Sequence, residues 1–178
     1  MVPDVHTPYC GAIIRRYPRR TCYQRWNRKR QVLQTTAANV DAVVCIASPS
    51  SPPFRPRFID RVVVNAEHAG IRAVVVLNKV DQAVSPQVQE RLGDYERLGY
   101  TVIHTSAKTG EGLGALRPLV GRKRCLFFGQ SGVGKSSVLN AILPGVAQRV
   151  GDVSEKHNRG RHTTNYGCLF PTGELTGA

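Results

Sequence analysis

The stretch CLFFGQSGVGKSSVLN, residues 125–140, contains the most specific pattern in this chain. Within it, residues 129–136 match the pattern G-x-x-x-x-G-K-[ST] without a mismatch. The apolar residues before the pattern predict a buried strand, and the residues after it predict a helix from Lys135 to about Leu143. A glycine-rich loop between a strand and a helix surrounds phosphate groups with backbone N–H donors. We therefore predict a phosphate-binding loop here, with a chance match as the alternative.

The chemistry of this predicted loop is divided among glycines, one cation and hydroxyl groups. The glycines permit the backbone path, and Lys135 neutralises charge between the outer phosphates. The Ser136 hydroxyl is the predicted Mg²⁺ ligand within the loop. The residues predicted to contact the nucleotide phosphates are Gly129, Gln130, Ser131, Gly132, Val133, Gly134, Lys135, Ser136 and Ser137.

Upstream of the loop, short apolar runs alternate with longer amphipathic runs. The apolar runs predict buried strands at 41–47, 73–77 and 100–104. The amphipathic runs predict helices at 56–69 and 85–99, and a short helix is expected at 111–120. This alternation is typical of a parallel sheet covered by helices on both faces. Residues 1–36 differ, because the segment 11–26 predicts only a short strand pair with interleaved basic and aromatic residues.

Two polar segments follow two of these predicted strands. Asn78, Lys79 and Asp81 form the pattern N-K-x-D directly after the strand 73–77. A carboxylate at Asp81 can accept two hydrogens from guanine that adenine does not offer in that arrangement. Asn78 is predicted to contact the base edge and brace neighbouring loops, and the Lys79 stem to lie on the base. Alone, the pattern would be better explained by an ordinary turn at the end of a strand.

The companion segment is S-A-K, which follows the strand 100–104. The prediction is that Ser106 belongs to the base-reading loop, that the Ala107 amide donates to guanine O6, and that Lys108 packs over the base. Ligands bind in parallel sheets at the carboxyl ends of the strands. The two base-reading segments and the phosphate loop are therefore expected to form one site.

Charge is concentrated at the N-terminal end. The net charge is +13, and residues 1–36 contribute eight basic side chains against the single acid Asp4. Such clustering favours a nucleic acid partner, with a solvated basic tail as the alternative. The five cysteines lack metal-ligand spacing, which fits a reducing cytoplasm. No apolar run approaches the length of a membrane span or forms a signal peptide, so we expect a cytoplasmic monomer without a membrane partner.

The order of the motifs is unusual. N-K-x-D and S-A-K precede the phosphate loop, and GRHTTN, residues 160–165, follows it, whereas ordinary GTPases begin with the phosphate loop. Together with the runs TTAANVDAVVCIAS and FIDRVVVNAEHAGIRAVVVLNKVD, these motifs resemble the RsgA family, the small-ribosomal-subunit-dependent, circularly permuted GTPases. The resemblance covers roughly residues 11–170.

The resemblance implies a permuted P-loop GTPase domain at 37–178, preceded at 1–36 by a remnant of an OB-fold. It implies GTP or GDP and Mg²⁺ as ligands, and the small ribosomal subunit and its rRNA as partners in late assembly. It also implies catalytic roles in the loop at 162–164. There Thr163 or Thr164 closes over the γ-phosphate, with Thr164 assigned to Mg²⁺, and His162 orients the attacking water. The alternative for His162 is a basic loop that only contacts RNA.

Two parts of the family pattern are absent from the sequence: the D-x-x-G segment and the zinc ligands. The N-terminal part is also too short for a five-stranded OB barrel. From these departures we expect a truncated family member, either a natural short product or a gene fragment, with weak GTP hydrolysis. Three hypotheses about the chain therefore remain open: a ribosome-assisted GTPase, a nucleotide-gated RNA-binding module with little turnover, and a non-functional truncated product.

Overall fold

The computed structural model describes residues 2–3, 11–12, 14–121 and 123–143. The strands are β1 Val2–Pro3, β2 Gly11–Ala12, β3 Cys22–Asn27, β4 Val32–Ala38, β5 Ala42–Ala47, β6 Arg72–Asn78, β7 Thr101–Thr105 and β8 Cys125–Gly129. The helices are α1 Pro56–His68, α2 Pro86–Arg97, α3 Arg117–Val120 and α4 Lys135–Ile142, with a 3₁₀ turn at Leu113–Ala115.

The main sheet contains four parallel strands in the order β7-β6-β5-β8. The central strand β5 pairs on both sides, so that Ile46 lies opposite Val76 of β6 and Gly129 of β8. All six residues of β5 are buried, because a strand inside a parallel sheet is covered on both faces. The predicted parallel α/β sheet is therefore confirmed.

Two hydrophobic clusters cover the two faces of this sheet. Side chains alternate across a strand, so Val43 and Val44 of β5 point to opposite faces. Val43 belongs to the cluster formed with α1 and α2. Val44 belongs to the cluster formed with the 3₁₀ turn, α3 and α4. The carboxyl edge of the sheet is therefore held between two packed layers of helices.

The helices begin and end close to the predicted residues. Pro56 and Pro86 occupy the first turns of α1 and α2, and the Ser85 side chain accepts a hydrogen bond from the first turn of α2. Gly99 follows α2 with a φ of +87°, a conformation that favours glycine. The short helix expected at 111–120 is divided into the 3₁₀ turn and α3.

The N-terminal strand prediction was wrong in its pairing. The strand pair expected within 11–26 is replaced by a hairpin in which β3 pairs antiparallel with β4. The turn between them begins at Asn27, whose side-chain oxygen accepts hydrogen bonds from the N–H groups of Lys29 and Arg30 at 3.1 and 3.2 Å. An asparagine that bonds the backbone two or three residues later stabilises a turn without glycine or proline. The partner strand therefore follows residue 30.

The hairpin packs on the α/β unit through Tyr23. This ring is 2% exposed, lies 4.9 Å from the ring of Phe128, and its hydroxyl donates to the Val62 carbonyl at 3.4 Å. Strand β4 continues to Ala38, past residue 36, where we placed the end of the N-terminal segment. The division at 36 and the OB-fold remnant stay predictions.

Candidate functional site

The predicted site segments meet at the carboxyl edge of the sheet. Strand β6 ends at Asn78, β7 ends at Thr105 and β8 ends at Gly129. These strands are parallel members of one sheet, so the loops that follow them leave from the same edge. Side-chain hydrogen bonds then connect the loops to one another, as described below.

The glycines of the phosphate loop are required by close contacts. A Cβ atom on Gly134 would lie 2.4 Å from Nδ2 of Asn78, and one on Gly129 would lie 2.6 Å from the carbonyl oxygen of Ile46. Gly134 and Gly132 also have φ values of +91° and +83°. Any larger residue at Gly134 would therefore combine backbone strain with a displaced Asn78.

Lys135 begins α4 and folds back over the loop. Its Nζ atom donates to the carbonyl oxygens of Gly129 and Gln130, each at 2.7 Å. Burial lowers the pKa of Lys135, because desolvation disfavours the charged ammonium. In the same segment Val133 is 2% exposed and packs into the cluster under α4, which anchors the loop to the core. The flanking Ser131, Ser136 and Ser137 are exposed.

Asn78 joins three segments although it is only 1% exposed. Its Nδ2 donates to the carbonyl of Val133 at 2.9 Å. Its Oδ1 accepts from the Ala107 N–H at 3.1 Å and from the Thr105 hydroxyl at 3.3 Å. The predicted bracing role of Asn78 thus has a definite geometry. The Ala107 amide, predicted to reach guanine O6, is directed to Asn78 in this structure.

Lys79 makes a second connection between loops. Its Nζ donates to the carbonyl oxygens of Gly132 at 2.7 Å and Ser51 at 2.6 Å. Lys79 itself has a φ of +70°, a conformation that is uncommon for a residue with a side chain. The loop after β5 is therefore attached to the phosphate loop through Lys79, a contact that the sequence did not predict.

Asp81 is exposed at the edge of the site, and its Oδ1 accepts a hydrogen bond from the Ser106 hydroxyl at 2.7 Å. Ser106 is fully buried and its oxygen also accepts from the Thr109 N–H at 3.2 Å. The carboxylate is thus oriented by a hydroxyl that is itself fixed by the backbone. Lys108, two residues after Ser106 in the same loop, is exposed.

The remaining predicted site residues, His162, Thr163 and Thr164, lie outside the described residues. Within the part of the chain that is described, no group of three or more His, Cys, Asp or Glu side chains could hold a metal ion. None of the described helices has the length and apolar character needed to cross a bilayer.

The sequence did not identify two residues that contribute to the site. Thr105 is fully buried and bonds Asn78, and its position just before S-A-K was the available signal. Ser51 contributes only a backbone carbonyl, for which its side chain gives no signal. Both act by holding Asn78 or Lys79 in place.

The fold and the order of these segments define a class of protein. The N-K-x-D and S-A-K loops after β6 and β7, predicted to read the base, precede the predicted phosphate loop after β8 in the chain, and all three meet at one edge of a parallel sheet. This is the arrangement of a circularly permuted GTPase domain.

The comparisons with known proteins specify the family. The model of the family described as RsgA GTPase matches residues 16–176, so the chain belongs to the RsgA GTPase family. The crystal structure of YjeQ from Thermotoga maritima superposes with a TM-score of 0.58 and 34% identity, over 72% of this chain and 44% of that chain. The structure of YloQ, a circularly permuted GTPase, superposes with a TM-score of 0.57 and 28% identity, over 73% of this chain and 43% of that one.

Curated relatives carry a consistent name. The small ribosomal subunit biogenesis GTPase RsgA of Borreliella burgdorferi strain ZS7 is 40% identical over 158 residues, which are 89% of this chain and 52% of that protein. The protein of the same name from Azotobacter vinelandii strain DJ is 42% identical over 163 residues, 90% of this chain and 47% of that protein. The chain thus spans about half the length of the curated relatives it matches.

Proposed function

We propose that this chain binds guanine nucleotides and hydrolyses GTP in the biogenesis of the small ribosomal subunit. The observation that carries the proposal is the position of Asn78, which bonds the phosphate loop and the S-A-K loop at once. These contacts support the proposal because one nucleotide would require its base-reading edge and its phosphate loop at a defined separation. The names of the relatives, small ribosomal subunit biogenesis GTPase, support the biological setting.

The glycine-rich loop after β8 is the proposed site of the nucleotide phosphates. The close contacts of Gly129 with the Ile46 carbonyl and of Gly134 with Asn78 fix the backbone path of the loop, and its N–H groups would then bind an anion. The Lys135 ammonium would leave its two carbonyl partners to contact the outer phosphates, and the exposed Ser136 hydroxyl would ligate Mg²⁺. Bound Mg²⁺ would bridge phosphate oxygens and neutralise the charge that develops during hydrolysis.

The guanine base would lie against the exposed side of Asp81. Its carboxylate keeps one oxygen on Ser106 and offers the other to the base, which orients the acceptor before the base arrives. Lys79 and Lys108 would flank the ring, with Lys79 held in place by Ser51 and Gly132. This arrangement selects guanine over adenine because adenine lacks the matching pair of donors.

We assign the hydrolytic step to the segment 162–164, following the family resemblance. Thr164 or Thr163 would close on Mg²⁺ and the γ-phosphate, and His162 would orient the attacking water. Positioning and electrostatic stabilisation supply most of the catalysis in phosphoryl transfer, so these groups act chiefly by placing water and metal.

RNA is the proposed macromolecular partner, and the basic N-terminal residues are its proposed contact. Exposed side chains from Arg15 to Arg30 supply this charge, and the residues from 14 to 40 include no acid. Binding should therefore weaken steeply as salt rises. Neutralising Arg19, Arg20 and Arg25 together should reduce the slope of log affinity against log salt by about two to three. An unchanged slope would assign these side chains to a solvated surface.

The proposal has two parts that can fail separately. Titration of a fluorescent GDP with Mg²⁺ tests binding, and single-turnover GTP cleavage with and without small ribosomal subunits tests the enzyme. Subunit-stimulated cleavage supports the GTPase. Tight GDP binding without cleavage in either condition would favour the alternative, a nucleotide-gated RNA-binding module. We further propose that the protein acts in the cytoplasm as a monomer.

A further inference from the structure

The outer face of the N-terminal hairpin carries an exposed aromatic ring. Trp26 is 53% exposed and lies directly opposite Leu33, which is 61% exposed, across the β3–β4 pair. Side chains alternate along β3, so Trp26 points away from the face on which Tyr23 packs against the core. We call the surface formed by Trp26 and Leu33 the Trp26 face.

Single exposed apolar residues are ordinary, but a facing pair needs a reason. Gln24 and Thr35 form the next pair on the same face. The Gln24 side-chain amide donates a hydrogen bond to the Thr35 hydroxyl at 3.3 Å, so the polar side chains of this pair satisfy each other. The core contact of the hairpin is made by Tyr23 on the other face. The exposed Trp26 ring therefore does not contribute to the hydrophobic core of the described part of the chain.

Three cations follow this ring in the chain, within four residues of Trp26. Arg28, Lys29 and Arg30 are exposed in the turn that joins β3 to β4, and no ion pair involves them among the described residues. An apolar ring beside uncompensated positive charge fits a partner that offers both a flat π surface and phosphate groups. Single-stranded nucleic acid has both, because its bases are free to stack on aromatic side chains. A paired helix keeps its base faces inside the stack.

We propose that the Trp26 face stacks an unpaired base of RNA while the turn at 28–30 binds the flanking phosphates. The inference rests on the RNA binding proposed above and adds to it the kind of RNA that is recognised. The ring supplies a contact that depends on an available base, and the turn supplies a contact that depends on charge. These two contributions respond differently to salt and to base pairing.

The chain contains one tryptophan, so its fluorescence reports on the proposed contact directly. The full chain is titrated with an unpaired oligouridine, with the same strand annealed to its complement, and with inorganic polyphosphate. We expect oligouridine to quench Trp26 emission and the other two probes to bind with little quenching. Equal quenching by polyphosphate would overturn the proposal, because polyphosphate has no base.

Three variants separate stacking from charge. Trp26→Ala should weaken oligouridine binding by about 5- to 150-fold, as loss of one base stack does, without changing the salt slope. Trp26→Phe should recover most of the affinity, and Leu98→Ala, a matched control at another exposed apolar position directly after α2, should have no effect. Neutralising Arg28 and Arg30 should instead flatten the salt slope.

The outcomes distinguish this inference from the RNA binding on which it rests. Wild-type binding to oligouridine that Trp26→Ala leaves unchanged would overturn the stacking role alone. Loss of small-subunit binding in Trp26→Ala with oligouridine binding intact would assign the Trp26 face to a protein partner, and would also overturn it. If the wild-type chain binds no RNA at any salt concentration, the proposed RNA partner itself is wrong.

Discussion

Replacing Asn78 by alanine tests the central contact of the site. The change leaves the Val133 carbonyl and the Ala107 N–H without their partner in a position that is 1% exposed. An unsatisfied buried group costs about 1–3 kcal/mol, and water can reach part of this edge, so we expect a loss of about 2–4 kcal/mol in unfolding free energy. For a chain of this size that corresponds to a fall in Tm of about 4–16 °C.

The assay is thermal unfolding, followed with and without GDP and Mg²⁺. We expect GDP to raise the Tm of the wild-type chain and to raise that of the Asn78→Ala variant much less, because two loops lose their fixed separation. Asn78→Asp should be at least as damaging, since it keeps the acceptor but buries a charge against the Val133 carbonyl. Asn140→Ala, at an exposed asparagine of α4, is the matched control. A Tm and a GDP response equal to those of the control would refute the reasoning.

Three further predictions concern other parts of the described chain. Asp81→Asn should weaken GTP by about 10- to 150-fold, the value of a charged hydrogen bond, and favour xanthosine triphosphate in competition binding; equal GTP affinity would contradict the assignment. Gly134→Ala should abolish GDP binding in titration calorimetry because its Cβ would lie 2.4 Å from Asn78, whereas measurable binding would mean that the loop can shift. Burial raises the pKa of Cys45 to about 12 and that of Cys125 to about 11, so neither thiol is ionised at pH 8. Mass spectrometry should find both unmodified by iodoacetamide until the chain is unfolded, and rapid native labelling would contradict this burial.

The main sheet could be predicted from the sequence because its signals are local. The run at 42–47 is continuously apolar, as a strand buried on both faces of a parallel sheet requires. The phosphate-loop pattern also requires a strand before it and a helix after it, which fixed the last two elements of the described chain. Proline at 86 and glycine at 99 are local signals of the same kind, at the start of α2 and directly after its end.

The parts that were not predicted depend on contacts that leave no recognisable pattern in the sequence. The turn after Asn27 is stabilised by its own side chain, so it carries none of the glycine signals of a tight hairpin, and the partner strand was missed. The bond between Lys79 and Ser51 joins a side chain to a carbonyl 28 residues away, and every residue has a carbonyl. The sequence predicted that Asn78 would brace neighbouring loops, but the partners of Asn78 could be identified only from the structure.

The strand order has a consequence for how the chain is made. Strands β7, β6 and β5 are neighbours in the sheet and consecutive in the sequence, whereas β8 must return to the far side of β5. Ala47, at the end of β5, precedes Gly129, at the end of β8, by 82 residues (129 − 47). At about 5–20 residues per second, translation therefore leaves the second edge of this wholly apolar strand unpaired for roughly 4–16 s. The unpaired N–H and C=O groups of such an edge can bond strands of other chains, so the nascent protein should aggregate most readily in that interval. Because the proposed phosphate loop follows β8, a nucleotide bound there would arrive too late to protect this edge of β5.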